Sequence, residues 1–427
     1  MALKLNSSGG GSVTIDPVST ASNVTITIPA TTDGRVVVAD SSGNVTATGN
    51  VSAVGGAFSG AVSGTTGTFS GDVTLPSANG GQLAGMRNKI INGDMRIAQR
   101  GTSTAGVTTT TTFIVDRFRT GGQASAAVFT TSQSTDVPNT RFNYSARLTV
   151  TTADAAVATT DVIGIVQPIE GYNVRDLIGQ TFTLSFWVKS PKTGIHCVNM
   201  VNSADRTYVA EYTVIAANTW EYKTITVVGG LITAGTWDWT SGLGLNLRFA
   251  LMAGTSFHTT AGAWQTGNLW STVNQVNCLD TIGNIFGLTG VQLEIGSVAT
   301  PFEHRPIGME LALCQRYYHR ITSPTASSGF HMIQINSATG AQGIYPFPVE
   351  MRTNPLALET TTAAGDYRIN FAGTNVTCSV LPAFNAATNF RNAYVGYTVA
   401  SGLTPTGGGG SVIAVNTNAY LGWSAEL

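Results

Sequence analysis

The chain has 427 residues, of which only 11% are charged, about half the usual share. Thr supplies 62 residues and Gly 49, whereas Lys occurs only at Lys4, Lys89, Lys189, Lys192 and Lys223. A chain rich in β-branched and turn residues and poor in helix formers argues against helical bundles and α/β enzymes, and a net charge of −1 gives no field that would draw in nucleic acid or an anionic membrane.

Cys197, Cys278, Cys314 and Cys378 have neither a metal-finger spacing nor a dense disulfide pattern, and read as free, buried or half-buried thiols. No apolar run of about 18 residues marks a membrane span. Met1–Gly11 lacks the apolar core of a secretory signal, so an extracellular role would have to be reached without the ordinary export route.

In chain order, residues 1–40 begin with a Ser/Gly-rich stretch and continue into two short strands, Val24–Ile28 and Arg35–Ala39, around the turn PATTDG. The first twenty residues are expected to meet whatever holds the molecule. Residues 41–85 follow a loose six-residue beat marked by Gly43, Gly49, Gly55 and Gly67, and Asp72 is the only charge between Ser41 and Gln82. One copy of such a segment buries too little apolar surface to offset its ordering entropy. It is either a flexible linker or a stalk in which several chains share Val45, Val51, Phe58, Val62, Phe69 and Val73, and the regular spacing of those residues favours the stalk.

From residue 86 to 305 the apolar pattern has period 2. Phe182, Leu184, Phe186 and Val188 alternate with Thr183, Ser185 and Trp187, and Leu243–Leu251 and Val291–Ile295 alternate likewise. With turns every 8–15 residues, this predicts two antiparallel sheets around one core. Residues 306–322 carry a helix candidate, Ile307–Ile321, opened by Pro306, with Ile307, Leu311, Cys314, Tyr318 and Ile321 spaced 4, 3, 4, 3. It is either a lone amphipathic helix or a three-chain collar. Residues 323–427 read as a second all-β unit, a C-terminal sandwich-like tip, with strands near Phe330–Ile335, Gly343–Pro348, Tyr367–Ala372, Val376–Val380, Ala393–Val399 and Val412. The predicted class is all-β throughout.

Several blocks carry a family resemblance. RNKIINGDMRIAQRG (Arg87–Gly101), VDRF (Val115–Phe118), TLSFWVKS (Thr183–Ser190), TGVQLEIGSVATPFEHRP (Thr289–Pro306) and CQRYYHRI (Cys314–Ile321) resemble, in order, the landmarks of a domain common in bacteriophage tail fibres. FPVEMRTNP (Phe347–Pro355) and the N-terminal Ser12–Asn44 are similar to further fibre segments. His304 is one departure, standing where a second basic residue is expected. The resemblance implies an elongated homotrimeric virion fibre, attached through residues 1–40 to phage tail or baseplate proteins. Its jelly-roll module would resemble carbohydrate-binding modules and bind a host surface glycan. Such a protein is assembled in the host cytoplasm and released by lysis, which removes the need for a signal peptide. A head fibre or capsid decoration protein would use the same modules, and a polysaccharide-degrading fibre is the third possibility.

No nucleophile elbow, HExxH motif or phosphate loop is present, and His196, His258, His304, His319 and His331 lack ligand-like spacing. The expectation is therefore a binding protein rather than an enzyme, with no cofactor and no metal. Asp94 and Glu294 are conceivable calcium ligands but lack a spaced loop. Strand alternation turns Trp187 away from the core, and by the same logic Asn246, Arg248, Gln292 and Glu294 lie on outer faces. An outward indole beside polar groups suits a sugar, whose C–H face stacks on the ring; the alternative is that a loop or a neighbouring subunit caps Trp187. Trp237, Trp239 and Trp264, with His258 and Trp270, form the second candidate patch, of which some members must be core.

Overall fold

The computed structural model describes residues 3–6, 12–15 and 85–427 except 110, 204–205 and 406–408. Two compact units are distinguished, residues 1–73 and 74–427. In the first, Leu3–Asn6 pairs antiparallel with Ser12–Ile15. The predicted strands Val24–Ile28 and Arg35–Ala39 and the repeat of residues 41–82 lie outside the described residues. All pairings between the described strands are antiparallel, and the protein is all-β as its composition predicts.

The second unit opens with a β-sandwich. One sheet has seven strands in the order Trp264–Thr266, Arg206–Val214, Gly194–Val201, Leu243–Ala253, Val162–Glu170, Phe118–Gln123 and Phe113–Val115. The other has six: Trp220–Val227, Phe182–Lys189, Ile285–Ile295, Ser145–Thr152, Val128–Ser134 and Ser103–Val107. The chain crosses repeatedly from sheet to sheet, the wiring of a jelly-roll-like sandwich. The period-2 residues do what their spacing dictates. Phe182, Leu184, Phe186 and Val188 from one sheet and Leu245, Leu247, Phe249 and Leu251 from the other are all fully buried in a single core. Phe186 meets Phe249 at 5.0 Å and Tyr212 at 5.1 Å, both edge-on, which couples the sheets at their centre.

The polar residues of Arg87–Gly101 and Thr289–Arg305 latch the chain ends of the sandwich together. Asn88 donates through Nδ2 to the Val291 carbonyl (3.1 Å) and accepts from the Leu293 N–H (3.0 Å). Arg305 donates to the carbonyls of Ile90 and Asn88, and the Asn92 N–H donates to Glu310. Asn88, Asn92 and Arg305, from the blocks that carry the family resemblance, are here structural groups.

The helix is Ile307–Gln315, shorter than the predicted Ile307–Ile321. Its continuation fails because Tyr318–Thr322 is captured as a strand by Tyr420–Ser424. Cys314 and Tyr317 pack with Ile91 and Ile97, so the helix lies against its own sandwich.

Six of the C-terminal strands close into a barrel in the order Gly329–Ile335, Gly340–Pro346, Asn392–Val399, Thr374–Phe384, Tyr367–Phe371 and Gly409–Ala414. The predicted strands are present, but the expected sandwich tip is a barrel, because Gly329–Ile335 and Gly409–Ala414 pair and leave no open edge there. A three-stranded sheet of Tyr318–Thr322, Tyr420–Ser424 and Leu358–Thr360 lies beside it. It contributes Trp423, whose buried ring stacks on Tyr345 at 5.1 Å and 5°. Cys197, Cys278, Cys314 and Cys378 are all free and buried; burial raises the Cys278 thiol to about 12 and Cys378 to about 11.

Candidate functional site

Trp187 sits on the outer face of the six-stranded sheet, opposite Tyr222 on one neighbouring strand and Thr289 on the other. Its ring lies 5.3 Å from Tyr222, tilted by 47°. The strand Ile285–Ile295 breaks register between Thr289 and Gln292, and Gly290 occupies the bulge with φ +62°. A Cβ at Gly290 would stand 2.9 Å from Phe142 and 3.0 Å from Trp187. Only glycine therefore both takes this backbone conformation and lets the two rings approach.

Phe142 enters from the loop before Ser145–Thr152, while Phe302 and His304 come from the segment that returns over the sheet. Their rings form a close group: Phe142 to Phe302 at 5.3 Å, Phe302 to His304 at 4.9 Å and Phe142 to His304 at 5.6 Å. With Trp187 and Tyr222 they line a groove of about 490 Å³, bordered by Asn139, Arg141, Ser185 and Thr300. The volume is that of a small-ligand site. Its chemistry is a set of aromatic faces with amide, guanidinium and hydroxyl groups at the margin. Tyr222 is 43% exposed and Trp187 half-buried, so neither is sealed by the loops.

The predicted site residues do not converge on one site. Trp187 belongs to one sheet, whereas Asn246 and Arg248 lie on the outer face of the other, with the shared core between them. The expected pairing of the indole with these two polar groups is thus corrected: sheets packed about 10 Å apart turn their outer faces in opposite directions. Gln292 and Glu294 do lie on the outer face of their strand, but the chain that returns after it covers them. Glu294 accepts from Gln292 Nε2 (2.8 Å), from the Thr300 N–H (2.8 Å) and from Thr300 Oγ1 (2.6 Å), and pairs with Arg87 at 3.5 Å. Asp94 pairs with Arg96. Both conceivable calcium ligands are engaged by protein groups. Among the described residues no group of three or more His, Cys, Asp and Glu is placed to hold a metal, and no helix is long and apolar enough to cross a membrane.

Trp237, Trp239 and Trp264 do come together. Trp237 and Trp239 stack at 5.0 Å and 9°, and Trp264 meets Trp237 edge-on at 5.7 Å. All three pack against the sandwich core and are half-buried. The indole N–H groups of Trp237 and Trp264 donate to the carbonyls of Ala234 (2.9 Å) and Gly230 (3.0 Å). The cluster thus packs on the core with one side and stays half-exposed on the other. Trp270 is buried with Val162, Val166 and Phe257 on the outer face of the seven-stranded sheet.

Sequence reasoning missed Phe142, Tyr222, Gly290 and Phe302. Two signals were available: the Thr289-Gly290 pair interrupts a clean alternation, as bulges do, and Phe302 with His304 falls in the PFEHRP block that follows that strand.

No family model matches the sequence, and no curated protein matches it. Among solved structures, the enzymatically active domain of tailspike protein 4 from bacteriophage CBA120 aligns at 16% identity and a TM-score of 0.26, over 49% of this chain and 21% of that one. The chain thus spans about a fifth of the tailspike domain. A sugar-binding protein from Bacteroides thetaiotaomicron aligns at 10% identity and TM-score 0.28, over 49% of this chain and 99% of that one. The family 11 carbohydrate-binding module of Clostridium thermocellum, solved with a mixed-linked tetrasaccharide, aligns at 12% identity and TM-score 0.25, over 47% and 99%. At these values the functional reading rests on this chain's own residues.

Proposed function

We propose that the chain is a receptor-binding fibre of a bacteriophage tail, a homotrimer attached to the virion through residues 1–40, whose sandwich domain adsorbs to a host surface polysaccharide without cleaving it. The observation that carries the reading is the groove around Trp187. Aromatic faces accept the apolar C–H faces of a pyranose, and the Asn139, Arg141, Ser185 and Thr300 margin supplies partners for its hydroxyls. The sequence blocks that resemble tail fibres, and the nearly uncharged residues 41–85, support the virion setting. A single shallow groove binds a sugar weakly. Three grooves per fibre and several fibres per virion raise the avidity by about 10²–10⁴ without a new contact.

The test titrates the full chain with uncharged bacterial surface polysaccharides, follows tryptophan fluorescence, and repeats the titration with Trp187→Ala. Saturable binding that weakens about tenfold in the variant supports the reading. No binding across the panel, or full retention in the variant, overturns the groove. Sedimentation equilibrium tests the trimer, and release of reducing ends on incubation with the polysaccharide would replace adsorption by cleavage.

A further inference from the structure

The outer face of the seven-stranded sheet carries two cations, Arg119 and Arg248, that form no ion pair among the described residues. Arg248 faces Val166 across one strand boundary, and Arg119 faces the same Val166 across the next. Directly paired residues of an antiparallel sheet share a face, so the two guanidinium groups rise from one side with Cα atoms about 10 Å apart, two strand spacings. Both side chains are half-buried, and neither forms an ion pair among the described residues.

Among the described residues Arg248 donates to the neutral Asn268 Oδ1 alone (2.6 Å), and it lies 4.6 Å over the Trp270 ring. Arg119 Nε is buried with no partner. The carboxylate that acts on Arg119 is Glu426, and it is already engaged by Arg117 and Arg100. Burial, reinforced by the charge of Arg119, brings Arg248 down to about 9. Withdrawing two like charges from water on one face is costly unless an anion joins them.

The same face supplies an acceptor of the complementary kind. Asn246, two residues from Arg248 on the same strand and 6% exposed, has its Oδ1 buried without a partner. A carbonyl oxygen in that condition requires a hydroxyl or N–H donor.

We propose that this face binds the anionic group of an acidic saccharide, a carboxylate or phosphate held between Arg248 and Arg119, with a neighbouring sugar hydroxyl donating to Asn246. Planar guanidinium forks suit such oxyanions. The site lies on the opposite side of the sandwich from the Trp187 groove and goes beyond the reading given above.

The experiment titrates the full chain, by calorimetry at low salt, with oligogalacturonate, with its methyl ester and with inorganic phosphate. Saturable binding of oligogalacturonate is expected, weakened at least tenfold by esterification, by Arg248→Gln and by Arg119→Gln alike, and weakened further by added salt. Phosphate that binds more tightly than oligogalacturonate, with the same loss in both variants, assigns the site to a phosphate-bearing saccharide. Equal binding of the ester, unchanged binding in both variants, or no binding of either anion overturns the proposal. Circular dichroism of each variant confirms that the sandwich is folded, and Arg119→Gln carries the test should Arg248→Gln fail to fold. Uncharged polysaccharides report the Trp187 groove separately, so either site can fail without the other.

Discussion

The two outer faces of the sandwich share one core and present opposite chemistry. On the six-stranded sheet a bulge at Gly290 opens space, and Phe142, Trp187, Tyr222, Phe302 and His304 fill its margins with aromatic faces. On the seven-stranded sheet the Trp270 ring stands only 2.7 Å from where a Cβ of Gly164 would be, and the half-buried guanidinium of Arg248 lies over it. A β-strand gives each face an independent set of side chains. One module can therefore carry an apolar stacking surface and a cationic one without a change in fold.

Perturbing what the faces share gives the largest effect. Phe186→Ala removes the ring that touches Phe249 and Tyr212 at the centre of the core, and is expected to cost about 3–5 kcal/mol in chemical denaturation. Both binding activities should then fall together with the folded fraction; loss of one alone would show that the faces are not mechanically joined.

Next in size is a titration confined to the seven-stranded side. Asp116, buried beside Arg117, is pushed by burial up to about 6, although hydrogen bonds from Gln99 oppose the shift. A carboxyl raised in the folded state contributes stability that is full below its ordinary value near 3.8 and is lost as pH rises through about 6. The loss is about 3 kcal/mol. Melting temperature followed from pH 4 to 7 should reveal it, and Asp116→Asn should flatten the profile; an unchanged slope in the variant would remove Asp116 as the cause.

On the aromatic side Gly290→Ala should cost about 1–2 kcal/mol, from its positive φ and the contacts with Phe142 and Trp187. It should also narrow the groove, so that uncharged glycan binding weakens while thermal unfolding stays cooperative. The smallest effect expected is that of Trp187→Ala, a tenfold loss of uncharged glycan affinity, about 1.4 kcal/mol. Melting should change little because the indole lies outside the core. A variant that melted early but bound normally would make Trp187 a packing residue and reverse the contrast between the faces.

The legible and illegible parts of this fold differ in range. The alternation at Phe182–Val188 and Leu243–Leu251 places core residues from local spacing alone, and every one of Phe182, Leu184, Phe186 and Val188 is buried as that spacing requires. The heptad-like spacing extends the helix past Gln315, because it says nothing of a partner about 100 residues away. Tyr420–Ser424 takes Tyr318–Thr322 as a strand, and pairing outweighs a weak helical preference. Closure of the barrel is equally non-local, since it depends on Gly329–Ile335 meeting Gly409–Ala414.

The same distinction governs the candidate sites. That Trp187, Asn246 and Arg248 leave the core follows from the sequence, because side chains alternate along any strand. Which of them share a surface does not follow, because sheet membership is set by pairings between distant segments. Tertiary structure placed Trp187 with Phe142 and Phe302, buried Gln292 and Glu294 beneath the returning chain, and set Arg248 beside Arg119 across Val166. Composition and period thus determined an all-β chain and the direction of its side chains, quantities fixed by backbone geometry over a few residues. Only the folded sheets decided which outward groups meet, since that is a property of neighbours that the chain brings together from distant segments of the sequence.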